Sequence, residues 1–301
     1  MTTLADTVAH QGDIRNTRVP ITVVVLTYNE EPNLEPCLNS LCAWAREVYI
    51  VDSGSTDHTS EIAARYGATL VHHPFSSHTL QWEWALENLP IQTEWVLALD
   101  ADQRVTPELT DEICELDPAV LRTVDGIYIK RRQVFRDKWI RYGGYYPKYL
   151  LKMFRRGRVK TDARDLVDHH FYVAGNVMKL HGDLLEVNKK EDDISFWIEK
   201  HNRYATLLAR EELENARIGR EHIVKPSFLG KPDQRILMLK QIWSRLPLFV
   251  RPFLYFVYRY FIRLGFLDGK QGAIFHFLHA FWFRLLVDIK LDELRRQGAR
   301  G

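Results

Sequence analysis

The sequence is sparing in cysteine. Its 301 residues contain three, Cys37, Cys42 and Cys114, with none of the spacings that a metal site or a disulfide framework uses. A reducing compartment is favoured, and each thiol reads as a small buried hydrophobe. The chain opens without an apolar run, and Asp6 interrupts what little there is, so no secretory signal peptide is expected. Charges break every stretch before 18 apolar residues accumulate, which argues against a conventional spanning helix. Nothing near the amino terminus resembles the Gly-rich loop that cradles a triphosphate. Basic excess is also missing from most of the chain. Residues 231–301 hold 13 Lys and Arg against five Asp and Glu, a net +8, and residues 1–230 are left at −6. No nucleic-acid partner is expected from that distribution.

What is present is an ordinary globular composition, 46% apolar and 27% charged, with enough residues for one large domain and an addition. Residues 1–18 read as a disordered leader. Trp95 to Leu99 are five apolar residues in a row, the pattern of a strand buried on both faces, and Asp100 and Asp102 stand just past its carboxyl end. In an extended segment two carboxylates two apart project to one side, where they can hold a hard divalent cation and leave room for a diphosphate.

Two earlier segments repeat the plan. Ile21 to Leu26 is a β-branched strand that turns polar at Thr27-Tyr28-Asn29-Glu30-Glu31, with Pro32 opening a helix. Glu47 to Val51 is a second strand, ending in Asp52-Ser53-Gly54-Ser55-Thr56-Asp57, where Gly54 permits a tight turn and Ser55 or Asp57 can cap the next helix. Ala68 to His72 is a third strand, and Gln81 to Leu89 a helix with Trp82, Trp84, Ala85 and Leu89 on its apolar side. Strands alternating with helices predict an α/β fold, a mostly parallel doubly wound sheet whose polar strand ends converge on one crevice. Each polar end alone also reads as helix capping.

These residues, in this order and spacing, resemble the inverting family 2 glycosyltransferases of GT-A fold. The likeness is carried by Val24 to Glu31, Val51 to Asp57 and Leu99 to Asp102. It continues through Gln81-Trp82-Glu83-Trp84-Ala85-Leu86-Glu87-Asn88, Gly143-Gly144-Tyr145-Tyr146-Pro147 and Lys152-Met153-Phe154-Arg155-Arg156-Gly157, which look like the branch of lipopolysaccharide core and exopolysaccharide enzymes. The resemblance covers residues 20 to about 215. It implies a Rossmann-like catalytic domain over 19–230, with a nucleotide-sugar half at 19–104 and an acceptor half at 105–230. It also implies that Thr27, Tyr28, Asn29, Glu30, Asp52, Gly54, Ser55, Gln81, Asp100 and Ala101 surround the donor, a UDP-sugar first among the candidates. Asp100 and Asp102 would hold Mg²⁺ or Mn²⁺ on its diphosphate.

Inversion at an anomeric carbon needs a base for the acceptor hydroxyl. Enzymes of this kind carry an acidic residue where this chain has Asp168-His169, with His169 standing in the place of the expected Glu. Asp168 can serve directly, His169 can substitute, or Asp168 can orient His169. Asp125 to Arg132 and Tyr149 to Arg155 read as antiparallel strands. The Gly-Gly-Tyr-Tyr-Pro segment between them is suited to stacking on a sugar or to packing on the sheet. Arg155, Arg156 and Arg158 can grip phosphate or guard an edge strand. Asp192 to Gly219 has the spacing of a long amphipathic helix.

The tail, 231–301, concentrates 14 aromatics between Trp243 and Phe283. Arg251, Tyr255, Arg259 and Arg263 recur every four residues, a cationic stripe on a helix otherwise covered by Phe253, Leu254, Phe256, Val257, Tyr260 and Phe261. With a turn at Leu264 to Gly272 and a second apolar helix from Ala273 to Lys290, this predicts an amphipathic hairpin lying on anionic lipid. The alternative is a helical pair packed on the catalytic domain or on a second subunit. A peripheral or monotopic enzyme at the cytoplasmic face of the plasma membrane, acting on a lipid-linked saccharide or lipopolysaccharide core, follows from the whole. Two competing readings are a nucleotidyltransferase and a non-catalytic scaffold of the same fold; the intact Asp100 and Asp102 speak against the scaffold. Oligomeric state is left open.

Overall fold

A computed structural model describes residues 18–162, 164, 167, 170–218 and 223–298. The predicted amino-terminal leader thus lies outside the described residues but for Arg18. The chain runs β1 (Val19–Thr27), α1 (Glu31–Asn39), β2 (Ala45–Asp52), α2 (Thr59–Arg65), β3 (Thr69–His72), α3 (His78–Asn88), β4 (Trp95–Asp100) and β5 (Gln103–Val105). It continues with α4 (Pro107–Cys114), α5 (Pro118–Leu121), β6 (Gly126–Phe135), β7 (Lys138–Ile140), β8 (Lys148–Arg155), β9 (Val159–Lys160), β10 (Tyr172–Val173) and β11 (Val177–Val187). A 3₁₀ turn, Lys189–Asp192, leads into α6 (Ile194–Ile218).

Nine strands form one sheet in the order β3-β2-β1-β4-β8-β6-β11-β5, with β7 paired to β6. The first four are parallel, as predicted. The second half corrects the mostly parallel expectation. β8 is antiparallel to both β4 and β6, and β5 is antiparallel to β11, so the sheet is mixed. The reason lies in the connections. β6 turns back into β7 and reaches β8 without a helix between them, which suits antiparallel pairing, whereas β1 to β4 are joined by helical crossovers. The predicted β6–β8 antiparallel pair is present.

Alternation along the central strands builds a core on each face. Ile21, Val23, Val25, Leu97 and Leu99 face a layer made by α1, α2 and α4, while Val24, Leu26, Val96 and Ala98 face Trp82 and Ala85 of α3. Burial on both faces explains why these strands lack polar alternation. Helix starts follow local chemistry: Ser77 caps α3 through Leu80 N, and Thr106 caps α4 through Leu109 N with Pro107 next.

The tail comprises α7 (Pro232–Arg245), α8 (Arg251–Val257) extended by a π-type turn Tyr258–Ile262, a 3₁₀ turn Gly265–Asp268, α9 (Gly269–His276), a second π-type turn Phe277–Trp282, and α10 (Phe283–Gly298). A third core joins it to the rest. Phe135 and Ile140 of the sheet and Trp197, Ala205 and Ala209 of α6 pack with Phe275, Phe283, Val287 and Leu291. The run Gly265–Gly298 is long and apolar enough to cross a bilayer by length and composition, but 44% of its most apolar window is buried inside the protein.

The expected arginine stripe is corrected here. Arg251 is 1% exposed and is clasped by Asp288 of α10 and Glu212 of α6, and Arg259 lies 3.9 Å over the Tyr145 ring. Of the stripe, only Arg263 is exposed. Helical spacing alone assigns the cations to lipid headgroups, because the acids that receive Arg251, buried Asp288 and half-buried Glu212, are 37 and 39 residues away.

Candidate active site

Register brings the polar strand ends to one edge. Thr27 of β1 lies opposite Asp52 of β2, and Leu26 lies opposite Asp100 of β4. Asp52 is buried and organises the turn after β2. Thr27 Oγ1 (2.9 Å) and Ser55 Oγ donate to its Oδ1, and the Gly54 (3.0 Å) and Ser55 (2.9 Å) amides donate to its Oδ2. Burial alone would push this carboxyl up, but the bonds from Ser55, Thr27 and Gly54 outweigh it and hold the group below its usual range. Gly54 sits at φ +91°, where a side chain is strained.

The loop after β1 is locked onto that turn. The Asn29 amide donates to Ser55 Oγ (2.8 Å), the Thr56 amide to Asn29 Oδ1 (2.8 Å), and the Glu30 amide to Thr59 Oγ1 (2.9 Å). Asn29 takes a left-handed conformation, φ 50°, which asparagine tolerates. Tyr28 is exposed at the rim. Gln81 sits behind the turn with its amide engaged by His73 and Ser53, so it braces the wall from within.

β4 ends at Asp100, and a turn at Ala101–Asp102 replaces the extended geometry expected from the sequence. The two carboxylates therefore have different neighbours. Asp100 Oδ2 is 3.1 Å from Nζ of the buried Lys152, and Asp102 Oδ2 accepts from Asn188 Nδ2 at 3.0 Å. Glu186 joins them, held by Arg131 (2.8 Å) and Gln103 (3.0 Å). Burial, then the negative charge of Glu186 and Asp100, pushes the Asp102 carboxyl well above its usual range. Excess acid at a strand end is what a divalent cation would relieve, so the donor set fits a hard metal such as Mg²⁺ or Mn²⁺. Among the described residues no group of three or more His, Cys, Asp or Glu could hold a metal ion. Such a cation would complete its shell from a ligand and water.

No local pattern signals the segment that roofs this crevice. Asn188 and the 3₁₀ turn after it bend back over the β1 loop. Lys190 Nζ donates to the Asn29 carbonyl (3.1 Å) and pairs with Glu30, and the Lys189 amide donates to Asn33 Oδ1 (2.8 Å). Lys200 of α6 pairs with Glu191 at 2.7 Å and faces Asp102. The roofing contacts join residues about 160 positions apart, beyond the reach of local pattern.

The predicted bases Asp168 and His169 lie outside the described residues. Phe171, just past them, is buried against Trp82 and Phe154. The Gly-Gly-Tyr-Tyr-Pro loop is divided between the two predicted roles. Tyr145 is packed under Arg259 and against Phe275, whereas the Tyr146 hydroxyl meets Lys130 and Asp183, each at 3.0 Å. Arg155 does not guard an edge. β8 is an interior strand, and Arg155 pairs with Glu94 at the amino end of β4, opposite the acidic edge.

The family profile described as Glycosyl transferase family 2 matches residues 22–182. The lipopolysaccharide core biosynthesis glycosyltransferase LpsC of Rhizobium meliloti (strain 1021) is 30% identical over 283 residues, covering 87% of this chain and 91% of that protein. An uncharacterized glycosyltransferase of Rickettsia bellii (strain RML369-C) is 39% identical over 93 residues, 31% of each chain. Among solved structures, S. aureus TarS 1-349 aligns at a TM-score of 0.44 and 16% identity, over 93% of this chain and 92% of that one. The Mycobacterium tuberculosis glucosyl-3-phosphoglycerate synthase with Mn²⁺, UDP and glucosyl-3-phosphoglycerate aligns at 0.31 and 21%, over 44% and 49%. At these scores the structural likenesses are remote.

Proposed function

This chain belongs to glycosyl transferase family 2, and on that premise we propose that it transfers a sugar, with inversion, from a nucleotide diphosphate sugar to a lipid-linked saccharide or lipopolysaccharide-core acceptor. The transfer depends on Mg²⁺ or Mn²⁺ and takes place at the cytoplasmic face of a membrane. One observation carries the reading: three parallel strands in register deliver Thr27, Asp52 and Asp100 to a single edge, with Asp102 and Glu186 beside them. Ligands of open α/β sheets bind at that edge.

In this reading the locked turns after β1 and β2 form the nucleotide wall, with Asp52 shaping the turn rather than offering a free oxygen. Asp100 and Asp102 hold the cation. When bound, the metal supplies positive charge against the leaving diphosphate. Lys190 and Lys200 stand above and beside the crevice and add fixed positive charge to it. The acceptor enters from the side of β8 and the Tyr142–Tyr146 loop. Asp168, alone or with His169, takes the proton of the attacking hydroxyl. A lipid-linked acceptor is supported by the name of the Rhizobium relative and by the apolar, basic tail.

The test is calorimetric titration with UDP-, GDP- and dTDP-sugars, with and without Mn²⁺. Metal-dependent, nucleotide-selective binding is expected, and Asp102→Asn should remove its metal dependence while leaving the circular dichroism spectrum unchanged. Wild-type metal dependence in that variant would overturn the metal assignment. A folded protein that binds none of these donors would favour a scaffold.

A further inference from the structure

Every acid between residues 231 and 291 is turned inward. Asp233 receives the Tyr128 hydroxyl at 2.7 Å, Asp268 receives the Arg141 and Tyr142 amides at 3.1 and 3.0 Å, and Asp288 receives Arg251. The outer surface of that stretch keeps only cations, including Arg245, Arg263 and Lys270. It also carries large apolar side chains. Among the described residues, 11 of the 23 exposed large hydrophobics fall between Phe249 and Phe277. They crowd the bend between α8 and α9, where Phe261, Ile262, Leu264, Phe266 and Leu267 are 43–66% exposed. A soluble surface of this size is normally mixed with both charge signs.

The same bend is fastened to the acceptor loop. Besides the two amides on Asp268, the Gly143 amide donates to the Arg263 carbonyl at 2.8 Å. Arg259 covers Tyr145, and a Cβ on Gly143 would strike the His276 ring. Loop and bend are therefore one unit.

We propose that the bend Tyr258–Asp268 enters the surface layer of an anionic bilayer, Ile262 and its neighbours leading, and thereby holds the Arg141–Tyr146 loop at the headgroup plane. As in the amphipathic expectation the apolar side faces lipid, but Arg251 and Arg259 face the protein instead of the headgroups. Interfacial segments of this kind sit about 5–10 Å deep. Charge complementarity selects anionic lipid over a neutral partner, as no exposed acid opposes the cations there. Resting on the lipid-linked acceptor proposed above, the inference narrows the substrate class to acceptors whose accepting sugar lies close to the bilayer surface.

The experiment is density-gradient flotation of the full chain with vesicles of phosphatidylethanolamine and phosphatidylglycerol, against vesicles of phosphatidylcholine alone. It is run alongside nucleotide titration and amide hydrogen exchange. Wild type should float with the anionic vesicles. The paired change Phe261→Asp with Ile262→Asp, at exposed positions, should lower partitioning at least about tenfold with nucleotide binding unchanged. Vesicles should also slow exchange of the Arg141, Tyr142 and Gly143 amides, and Asp268→Asn should keep flotation but lose that protection. Flotation of the paired variant equal to wild type, or no flotation of wild type while nucleotide binding is intact, overturns the proposal. So does a vesicle-free dimer that the paired variant dissolves. Loss of nucleotide binding with flotation retained would instead overturn the donor-site reading alone.

Discussion

Replacing Arg251 by methionine separates two descriptions of the tail by several kilocalories. Arg251 Nε lies 2.7 Å from Asp288 Oδ1, a guanidinium nitrogen lies 2.7 Å from Glu212 Oε2, and the remaining oxygen of Asp288 accepts the Phe249 amide at 2.8 Å. Arg251 and Asp288 are 1% and 0% exposed. Burial disfavours the guanidinium's charge, but Asp288 and Glu212 more than compensate and hold it charged. Methionine fills similar volume yet strands Asp288, and removing one member of a buried pair costs roughly 3–5 kcal/mol. An arginine on an exposed stripe would cost about 0–1 kcal/mol. Since a domain of this kind has about 5–15 kcal/mol in total, the shift in a urea melt followed by circular dichroism is large. Adding Asp288→Leu should return part of the loss, because the stranded charge disappears, giving a coupling energy of about 1–3 kcal/mol. High salt should leave the difference between wild type and Arg251→Met largely intact, as a buried pair is poorly screened. A cost below about 1 kcal/mol, or strictly additive single and double variants, would refute the inward orientation.

Three further outcomes follow from the geometry. Asp52→Ala removes the acceptor of four hydrogen bonds, so it should destabilise the fold by about 2–4 kcal/mol and weaken donor binding by calorimetry. Because the folded Asp52 carboxyl is held below its unfolded value, this contribution is complete above that unfolded value. It should fade as pH falls through the folded one, and a wild-type-minus-variant difference that grows in acid would contradict it. His279 works from the opposite chemistry: burial first, then His201, Arg284, Lys200 and Arg131, lowers its pKa well below the usual value, so the folded ring is neutral. Protonation in the unfolded chain should cost stability as pH drops below about 6.5, reaching about 1.4 kcal/mol near pH 5.5, and His279→Phe should flatten that part of the urea-melt profile. Lys152→Met removes the cation 3.1 Å from Asp100, so Mn²⁺ binding by the nucleotide-free protein, read by electron paramagnetic resonance, should tighten. About tenfold is a modest share of the charge interaction at that range; unchanged or weaker binding would show that Lys152 does not oppose the metal.

Legibility of the fold tracked the distance over which each choice is made. β1, β2 and β4 were readable because continuous apolar runs ending in polar residues are local signals, and α3 and α6 because their apolar spacing is local too. The edge that gathers Thr27, Asp52 and Asp100 followed from parallel order alone. Strand direction in the second half was harder. β8 enters between β4 and β6, a placement decided by pairing across the sheet rather than by its own sequence, and this made Arg155 an interior residue opposite the acidic edge. At the site, Asn188, Lys190, Glu186 and Lys152 were missed for a related reason. Each is an unremarkable polar residue in its own segment and gains meaning only beside Asp102, Glu30 or Asp100.

The tail shows the same limit with the sign reversed. Periodicity correctly grouped Arg251 and Arg259 on one face, and composition correctly found the apolar face opposite; neither could say which face meets protein. The deciding residues are acids that composition counts against the basic excess, Asp268 and Asp288, and both are buried. Once they are inside, they draw Arg251 inward and take the amides of the acceptor loop, and the net charge left outside becomes more positive than the sequence total implies. A formal charge summed over a segment thus understates its field at the surface whenever its acids are the buried partners. By that logic Asp288→Asn, although it removes an acid, should leave the surface charge and vesicle attraction of the folded protein nearly unchanged and lower its stability instead. A marked gain in binding to anionic vesicles at equal folded fraction would mean that Asp288 faces outward after all.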